Sequence, residues 1–173
     1  YAQDEAALRH VLGLLRAAGV GTLRQRFAWN ELEPAPGDWR WETWDRLLPI
    51  VAQENLALIA VLDTTPAWAR AEWEAGNPWA PPVKPADYAR FVSAFAERYA
   101  GYIRAYQVWD QPNIAPHWGA GEVDPAGYVD LLRAASAALR AADPQASVIA
   151  GGLAPNTEPG GRNMSDLLYL REI

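Results

Sequence analysis

Apolar residues recur along the first third of the chain in two alternating periods, one typical of helices and one typical of strands. Helical spacing over residues 4–18, with Gly19 at its end, predicts an opening helix. Residues 21–29 then alternate apolar and polar side chains, which predicts a strand. Helical spacing returns over residues 42–54, where Pro49 predicts a kink or a later helix start. The chain therefore begins as helix, strand, helix.

The rest of the chain continues this alternation, with Pro and Gly at the boundaries. Residues 56–62 form a continuous apolar run, as in a parallel strand that is covered on both faces. Pro85 and Asp124 stand where two helices begin, and Gly101 stands where the first of them ends. The further predicted elements are, in chain order, a loop rich in Pro and Trp over 64–82, a helix over 85–99, a strand over 103–109, a helix over 125–142, a strand over 147–150 and the start of a helix over 164–173.

This order predicts an α/β fold, a partial (β/α)8 TIM-barrel-like segment in which parallel strands alternate with helices. The loops that follow the predicted strands are long and rich in Trp, Asp, Gln and Pro, which in a (β/α) barrel marks the functional face. A doubly wound sheet is the structural competitor, but no Gly-rich phosphate loop follows the first strand. We expect residues 1–173 to form a single, incomplete segment, because a whole barrel needs about 250 residues.

Composition narrows the classes of partner. The chain has 15 Lys and Arg against 21 Asp and Glu, so its net charge is -6 and no basic stripe is available for nucleic acid. Its longest apolar run is far shorter than the roughly 18 residues that span a membrane. With 0 Cys there is neither a disulfide framework nor a thiolate metal site, and we expect no cofactor.

Five stretches form an ordered set of motifs. They are LRQRFAW at 23–29 followed by EP at 33–34 and GDW at 37–39, VL at 61–62 with TPAWA at 65–69, FAERY at 95–99, YQVWDQPN at 106–113, and AADP at 141–144 with GG at 151–152. In this order the set resembles the clan-A glycoside hydrolases, the superfamily of retaining β-xylosidases and endoglucanase-like enzymes. The resemblance covers nearly the whole chain, from the first helix to the start of the fifth helix of that barrel.

The chain departs from the family pattern at the residues that carry the chemistry. In the family's W-N-E-P-N segment the Asn contacts the sugar 2-hydroxyl and the Glu is the general acid/base; the matching positions here are Asp110 and Gln111. A Gln amide has no proton to give a leaving group, and general acid catalysis supplies about 10²–10⁴-fold. The family nucleophile lies on a later strand that this chain lacks. The resemblance therefore implies a carbohydrate-binding domain with impaired catalysis.

Candidate substrate-binding residues stand at or after the predicted strand ends. Aromatic faces stack on sugar rings, so four Trp are candidate platforms, with ordinary packing as the alternative: Trp29, Trp68, Trp109 and Trp118.

Three further polar residues stand close to that face. Arg24 resembles the clan's second-strand Arg, which supports the site carboxylates; its alternative role is a structural ion pair. Asp63 either neighbours Asp110 in a paired-carboxylate site or caps a turn. His117 is more typical of a loop hydrogen bond than of a metal ligand.

Several functional hypotheses remain open. Asp110 and Gln111 belong to a site that holds sugar without cleaving it, to an engineered Glu-to-Gln trap, or to a loop with no ligand. The whole protein is then either an active O-glycosyl hydrolase or a larger surface protein that uses this segment as a non-catalytic scaffold. Half a barrel has two exposed sheet edges, through which a homo-oligomer could form. An extracellular or cell-surface location is implied by the resemblance alone.

Overall fold

The structure, a computed structural model, describes residues 4–173. It is an α/β fold in which helices and parallel strands alternate along the chain. The helices are α1 (Glu5–Ala17), α2 (Trp29–Leu32), α3 (Glu42–Gln53), α4 (Pro85–Tyr99), α5 (Pro125–Ala142) and α6 (Asp166–Glu172), and the strands are β1 (Thr22–Ala28), β2 (Ala57–Asp63), β3 (Ala105–Asp110), β4 (Ser147–Gly152), β5 (Pro159–Gly160) and β6 (Asn163–Met164).

Four of the strands form one parallel sheet in the order β1-β2-β3-β4. Arg26 of β1 pairs with Val61 of β2, which pairs with Gln107 of β3, which pairs with Ile149 of β4. Sequential neighbours in a parallel sheet with helical connections are what a segment of a (β/α) barrel requires. The predicted fold class is thereby confirmed, and the described residues form an open sheet rather than a closed barrel.

The helix boundaries follow the signals in the sequence. The Asp4 carboxylate accepts a hydrogen bond from the Ala6 backbone N–H at 2.9 Å, and Asp124 caps α5 by accepting one from Gly127 at 2.9 Å. Pro85 occupies the first turn of α4, where its missing N–H costs nothing. Pro49 neither delays nor divides α3, which runs from Glu42 to Gln53.

The two faces of the sheet differ sharply in polarity. Phe27, Leu62, Tyr106 and Val108 are fully buried in the hydrophobic core beneath the helices. The opposite face, which we call the open face, carries the half-exposed side chains of Arg24 and Arg26 and, on β4, Ile149. The strand ends of this open face therefore present charged groups to solvent.

The last thirty residues contain a small antiparallel ribbon that the sequence pattern did not predict. Strands β5 and β6 pair with each other and precede α6, so that helix begins at Asp166 rather than near residue 164. Strands of two residues have no detectable period, which is why the pattern could not reveal them. No helix among residues 4–173 combines the length and the apolar character that crossing a membrane requires.

Candidate functional site

Arg24, in the first half of β1, joins that strand to the carboxyl end of β3. Its Nη2 donates to Asp110 Oδ1 at 2.7 Å, and its Nε donates to Gln107 Oε1 at 3.0 Å. The Gln107 amide in turn donates to the same Asp110 oxygen at 3.1 Å and to the Trp109 carbonyl at 2.8 Å. Asp110 is thus held in place by two donors, of which one is charged.

A local change of backbone conformation brings Asp110 to this face. Strict alternation would point Asp110 away from Gln107, but Trp109 adopts a φ of 68° and interrupts the alternation. The Trp109 ring is consequently buried against Trp118, with ring centroids 5.5 Å apart, and the Asp110 carboxylate lies on the same side as Gln107 and Arg24. The turn at Trp109 therefore places Asp110 beside Arg24, and its role in contacting a sugar stays a prediction.

Gln111 lies just beyond the end of β3 with its side chain partly exposed. Its backbone has a φ of 54°, and its N–H donates to the Gly152 carbonyl at 2.8 Å, so β4 fixes the position of the residue. Gln111 Nε2 and Oε1 take part in none of the hydrogen bonds among residues 4–173. The amide is therefore free to donate to, and accept from, a ligand at the strand ends.

Asp63, at the end of β2, is the most perturbed carboxyl of the site. Its Oδ1 accepts a hydrogen bond from Arg26 Nε at 2.6 Å, whereas its buried Oδ2 has no partner within the described part of the chain. Burial raises the pKa of Asp63 from 3.8 to about 6; the Arg26 guanidinium opposes that rise and the charge of Asp110 adds to it. A paired-carboxylate site made of Asp63 and Asp110 stays a prediction.

Arg26 also anchors a stack of rings that sequence reasoning missed. Its guanidinium lies over the Trp79 ring, 4.1 Å from the centroid, and Trp79 stacks on His117 with centroids 4.3 Å apart. The stack joins the loop after β2 to the loop after β3. Trp79 belongs to the Pro- and Trp-rich loop, but no spacing in the sequence distinguishes it from the neighbouring Trp residues.

The four Trp predicted as sugar platforms differ in exposure. Trp29 and Trp109 are fully buried and Trp118 is 6% exposed, so none of these three presents an open ring face in this chain. Trp68 is partly exposed, and its indole N–H donates to the Glu33 carbonyl at 3.1 Å. Trp68 is therefore the candidate platform that a ligand could reach.

A buried carboxylate holds the surroundings of Trp68 in place. Glu33 is fully buried and accepts hydrogen bonds from the Trp29 indole at 2.8 Å, from the Gly37 N–H at 2.8 Å and from Arg90 at 2.8 Å. The Arg90 guanidinium lies 5.6 Å from the Trp68 ring centroid. Glu33 thus has a structural role that links the loop after β1 to α4.

The carboxylates at the ends of β2 and β3 each pair with an arginine of β1, Asp110 with Arg24 and Asp63 with Arg26. Such a balanced set offers many donors and acceptors without a net charge, a chemistry that suits a neutral, hydroxyl-rich ligand better than an anion. Among residues 4–173 no three His, Asp or Glu side chains converge in the way that a metal site requires.

Comparison with solved structures identifies the architecture. A family 5 glycoside hydrolase (GH5_18) from Streptomyces cattleya in complex with GlcNAc matches 86% of the chain at 20% identity and a TM-score of 0.69. A family 39 glycoside hydrolase from the gut symbiont Bacteroides cellulosilyticus WH2 matches 85% at 20% identity and a TM-score of 0.66. Endoglucanase Cel5A from the hyperthermophilic Thermotoga maritima matches 95% at 14% identity and a TM-score of 0.63.

These similarities extend over only part of the solved proteins. The chain spans 39%, 28% and 48% of the lengths of these three structures, respectively. Neither a family model nor a curated protein sequence matches it. At such identities the comparisons show the fold: the chain has the architecture of part of a glycoside hydrolase barrel, as its sequence motifs predicted.

Proposed function

We propose that this chain is a carbohydrate-binding, glycoside-hydrolase-like domain whose own acid/base position is inactive. The observation that carries the proposal is Gln111, which stands where the similar enzymes' motif has its acid/base Glu and keeps its side-chain amide unpaired at the strand ends. An amide can hydrogen-bond a glycosidic oxygen but cannot protonate it.

The geometry around Gln111 supports binding. Arg24 and Gln107 hold Asp110 in one orientation, so its second oxygen can accept from a sugar hydroxyl with little loss of side-chain entropy. Trp68, which is partly exposed and whose indole N–H donates to the Glu33 carbonyl, offers an aromatic surface for a sugar ring in the loop after β2. We assign Arg24, Asp110, Gln111 and Trp68 to the ligand and Asp63, Trp29, Trp109 and Trp118 to the support of that site.

The same geometry argues against hydrolysis by this chain alone. Retaining and inverting glycosidases both need two carboxyl groups that flank the scissile bond. Here the Asp110 carboxylate is paired with Arg24, and the Asp63 side chain is only 1% exposed behind its contact with Arg26. Neither is placed to donate a proton to a leaving oxygen as Glu would from position 111.

Calorimetric titration with cellotetraose and mannotetraose tests the binding. We expect saturable binding by the native chain and a three- to tenfold weaker affinity, about one lost hydrogen bond, for Gln111→Ala. The matched control is Gln145→Ala, which removes an exposed amide from the opposite end of β4 and should leave affinity unchanged. Binding of neither sugar, or equal effects of the two substitutions, would contradict the proposed site.

An assay with aryl β-glucosides and β-mannosides tests the catalytic part. We expect no release of the aryl group above the buffer rate between pH 4 and 8, because the Gln111 amide has no proton to give and Asp63, which is protonated below about pH 6, is buried against Arg26. Turnover by the native chain that is abolished by Asp110→Asn would show that Asp110 performs chemistry, and would replace the binding proposal by an unusual hydrolase.

A further inference from the structure

Trp73 is the one exposed Trp of the chain. All nine Trp lie within residues 4–173, and Trp73 is 74% exposed whereas the other eight are buried or half-buried. It occupies a single helical turn, Glu72–Glu74, in the long loop between β2 and α4. Its ring face is therefore available to stack on a ligand.

Two adjoining hollows lie beside this indole, at the outer rim of the strand-end face. One has a volume of about 270 Å³ and is lined by Trp73, Pro81, Trp118 and Glu122 among others; the second, of about 210 Å³, shares Pro81, Trp118 and Asp124 with it. Together they reach the range of about 300–1,000 Å³ in which small-ligand sites fall. We call them the rim groove.

The loops around the rim groove are pinned to each other. The Glu74 carboxylate is buried and accepts a hydrogen bond from the Ala120 backbone N–H, which ties the Trp73 turn to the loop after β3. Gly119 makes this approach possible, because a Cβ at that position would stand 2.8 Å from Glu74 Oε1. The indole is therefore presented by a preorganised turn, which lowers the entropy cost of binding.

The rim groove is separate from the site at Gln111. The stack of Trp79 on His117 and the contact of Glu74 with Ala120 both lie in the two loops that separate the Trp73 turn from the strand-end arginines. Its described lining consists of apolar, aromatic and acidic side chains and includes no Lys, Arg or His. A ligand there meets one aromatic face and, at its edge, the exposed carboxylates of Glu122 and Asp124.

We propose that the rim groove is a second carbohydrate-binding site, in which one sugar ring stacks on Trp73 and its hydroxyls donate to Glu122 and Asp124. An indole face suits the C–H face of a pyranose, and carboxylates accept from paired hydroxyls. The class of ligand rests on the proposed function, but Trp73, Glu122 and Asp124 are not among the residues assigned to the ligand at the strand ends. Of the residues assigned to the support of that site, Trp118 alone lines the groove. A polysaccharide that is bound at Gln111 could thus contact Trp73 through a second part of the same polymer. The first contact raises the effective concentration of that polymer at the rim groove.

Titration of the ¹⁵N-labelled chain with cellotetraose and mannotetraose, followed by the indole and amide N–H resonances, locates each site separately. We expect saturable shifts of the Trp73 indole and the Gly121 amide. Trp73→Ala should weaken the affinity measured at Gly121 about tenfold or more, and Trp73→Tyr should restore most of it. Leu167→Ala, at an apolar residue of α6 that is 66% exposed, is the control and should change neither site.

The two proposals fail in different ways. Shifts at Trp68 and Gln111 without shifts at Trp73 would overturn the rim groove and leave the strand-end site. Shifts at Trp73 that Gln111→Ala does not affect, with none at Trp68, would support the groove and overturn the strand-end site. Shifts of Trp73 with an oligolysine peptide but with neither sugar, lost in Glu122→Gln, would replace the carbohydrate by a basic peptide and overturn the proposal.

Discussion

Asp63 belongs to the candidate site, and its ionised form lowers the free energy of unfolding of the chain. It is buried at the end of β2, one of its oxygens pairs with Arg26, and the other has no partner among the described residues. Burial disfavours the charged form by more than Arg26 favours it, so the pKa of Asp63 rises to about 6. At neutral pH Asp63 is mostly ionised, and burial of this charge lowers the free energy of unfolding.

The sign of the resulting pH dependence follows from proton linkage. Between pH 3.8 and about 6 the folded chain binds more protons at Asp63 than the unfolded chain does, so the contribution of Asp63 to the free energy of unfolding falls as the pH rises. The full difference amounts to about 3 kcal/mol. We expect Asp63→Asn to match the native chain near pH 4 and to be more stable at pH 8, as measured by urea unfolding.

Comparison with an exposed carboxylate isolates this effect. Asp38 forms an exposed pair with Arg40 at 3.4 Å, and Asp38→Asn should change the unfolding free energy little at either pH. If Asp63→Asn were instead less stable than the native chain at pH 8, the ion pair with Arg26 would outweigh the cost of burying the charge.

Single residues of the site were predictable to different degrees. Arg24, within β1, and Asp110, at the end of β3, stand in recognisable motifs, and the structure joins them. The φ of 68° at Trp109, which directs Asp110 to the open face, leaves no trace in a pattern of apolar and polar residues. The sequence did not single out Trp73, because exposure depends on tertiary packing and the loop that contains it has three Trp in similar Pro- and Ala-rich surroundings.

At the scale of elements, Glu33 holds the loop after β1 against α4. Its fully buried carboxylate accepts from Trp29, Gly37 and Arg90, so its removal leaves the buried Trp29 indole N–H without a partner and releases Arg90 and the Gly37 N–H. We expect Glu33→Ala to lower the free energy of unfolding by about 3 kcal/mol. Glu31→Ala is the matched control, since Glu31 is exposed on α2, two residues before Glu33; a similar loss in both variants would contradict the role of Glu33.

The junction of the two long loops depends on Gly119. A side chain there would meet Glu74 Oε1 at 2.8 Å and would have to adopt a φ of 84°. We expect Gly119→Ala to cost about 1–3 kcal/mol in urea unfolding and to broaden the Trp73 indole resonance. Gly76→Ala, in the same region but with nothing within 4 Å, should have neither effect; an equal loss in both would point to general loop sensitivity.

The helices and strands agree with the sequence-based predictions more closely than the contacts between loops do. Pro85, Gly101 and the Asp124-Pro125 pair stand at helix ends because they fix φ, permit a positive φ or satisfy the first N–H groups. Contacts between loops, such as Glu74 with Ala120, join residues 46 positions apart. No local preference encodes such a contact, so these junctions could not be predicted from the chain.

At the scale of the whole molecule, the four-stranded sheet ends in two strands that are paired on one side only. Strands β1 and β4 each have a single neighbour among the described strands, and their free edges offer unpaired N–H and C=O groups. β1 adds Arg24 and Arg26 to the open face, while β4 adds Ile149, which is 38% exposed. A second copy could satisfy both edges by placing its β1 beside β4, since all four strands are parallel.

Analytical ultracentrifugation tests whether two copies of this chain pair in that way. We expect the average mass to rise with concentration, and Ile149→Lys to suppress the rise, because the new charge would face the arginines that a second copy brings on β1. Leu167→Lys introduces the same charge on α6, away from both edges, and should leave the association unchanged. A native chain that stays monomeric at every concentration, or a Leu167→Lys variant that dissociates as readily, would rule out pairing through the edges and would mean that the loops alone protect them.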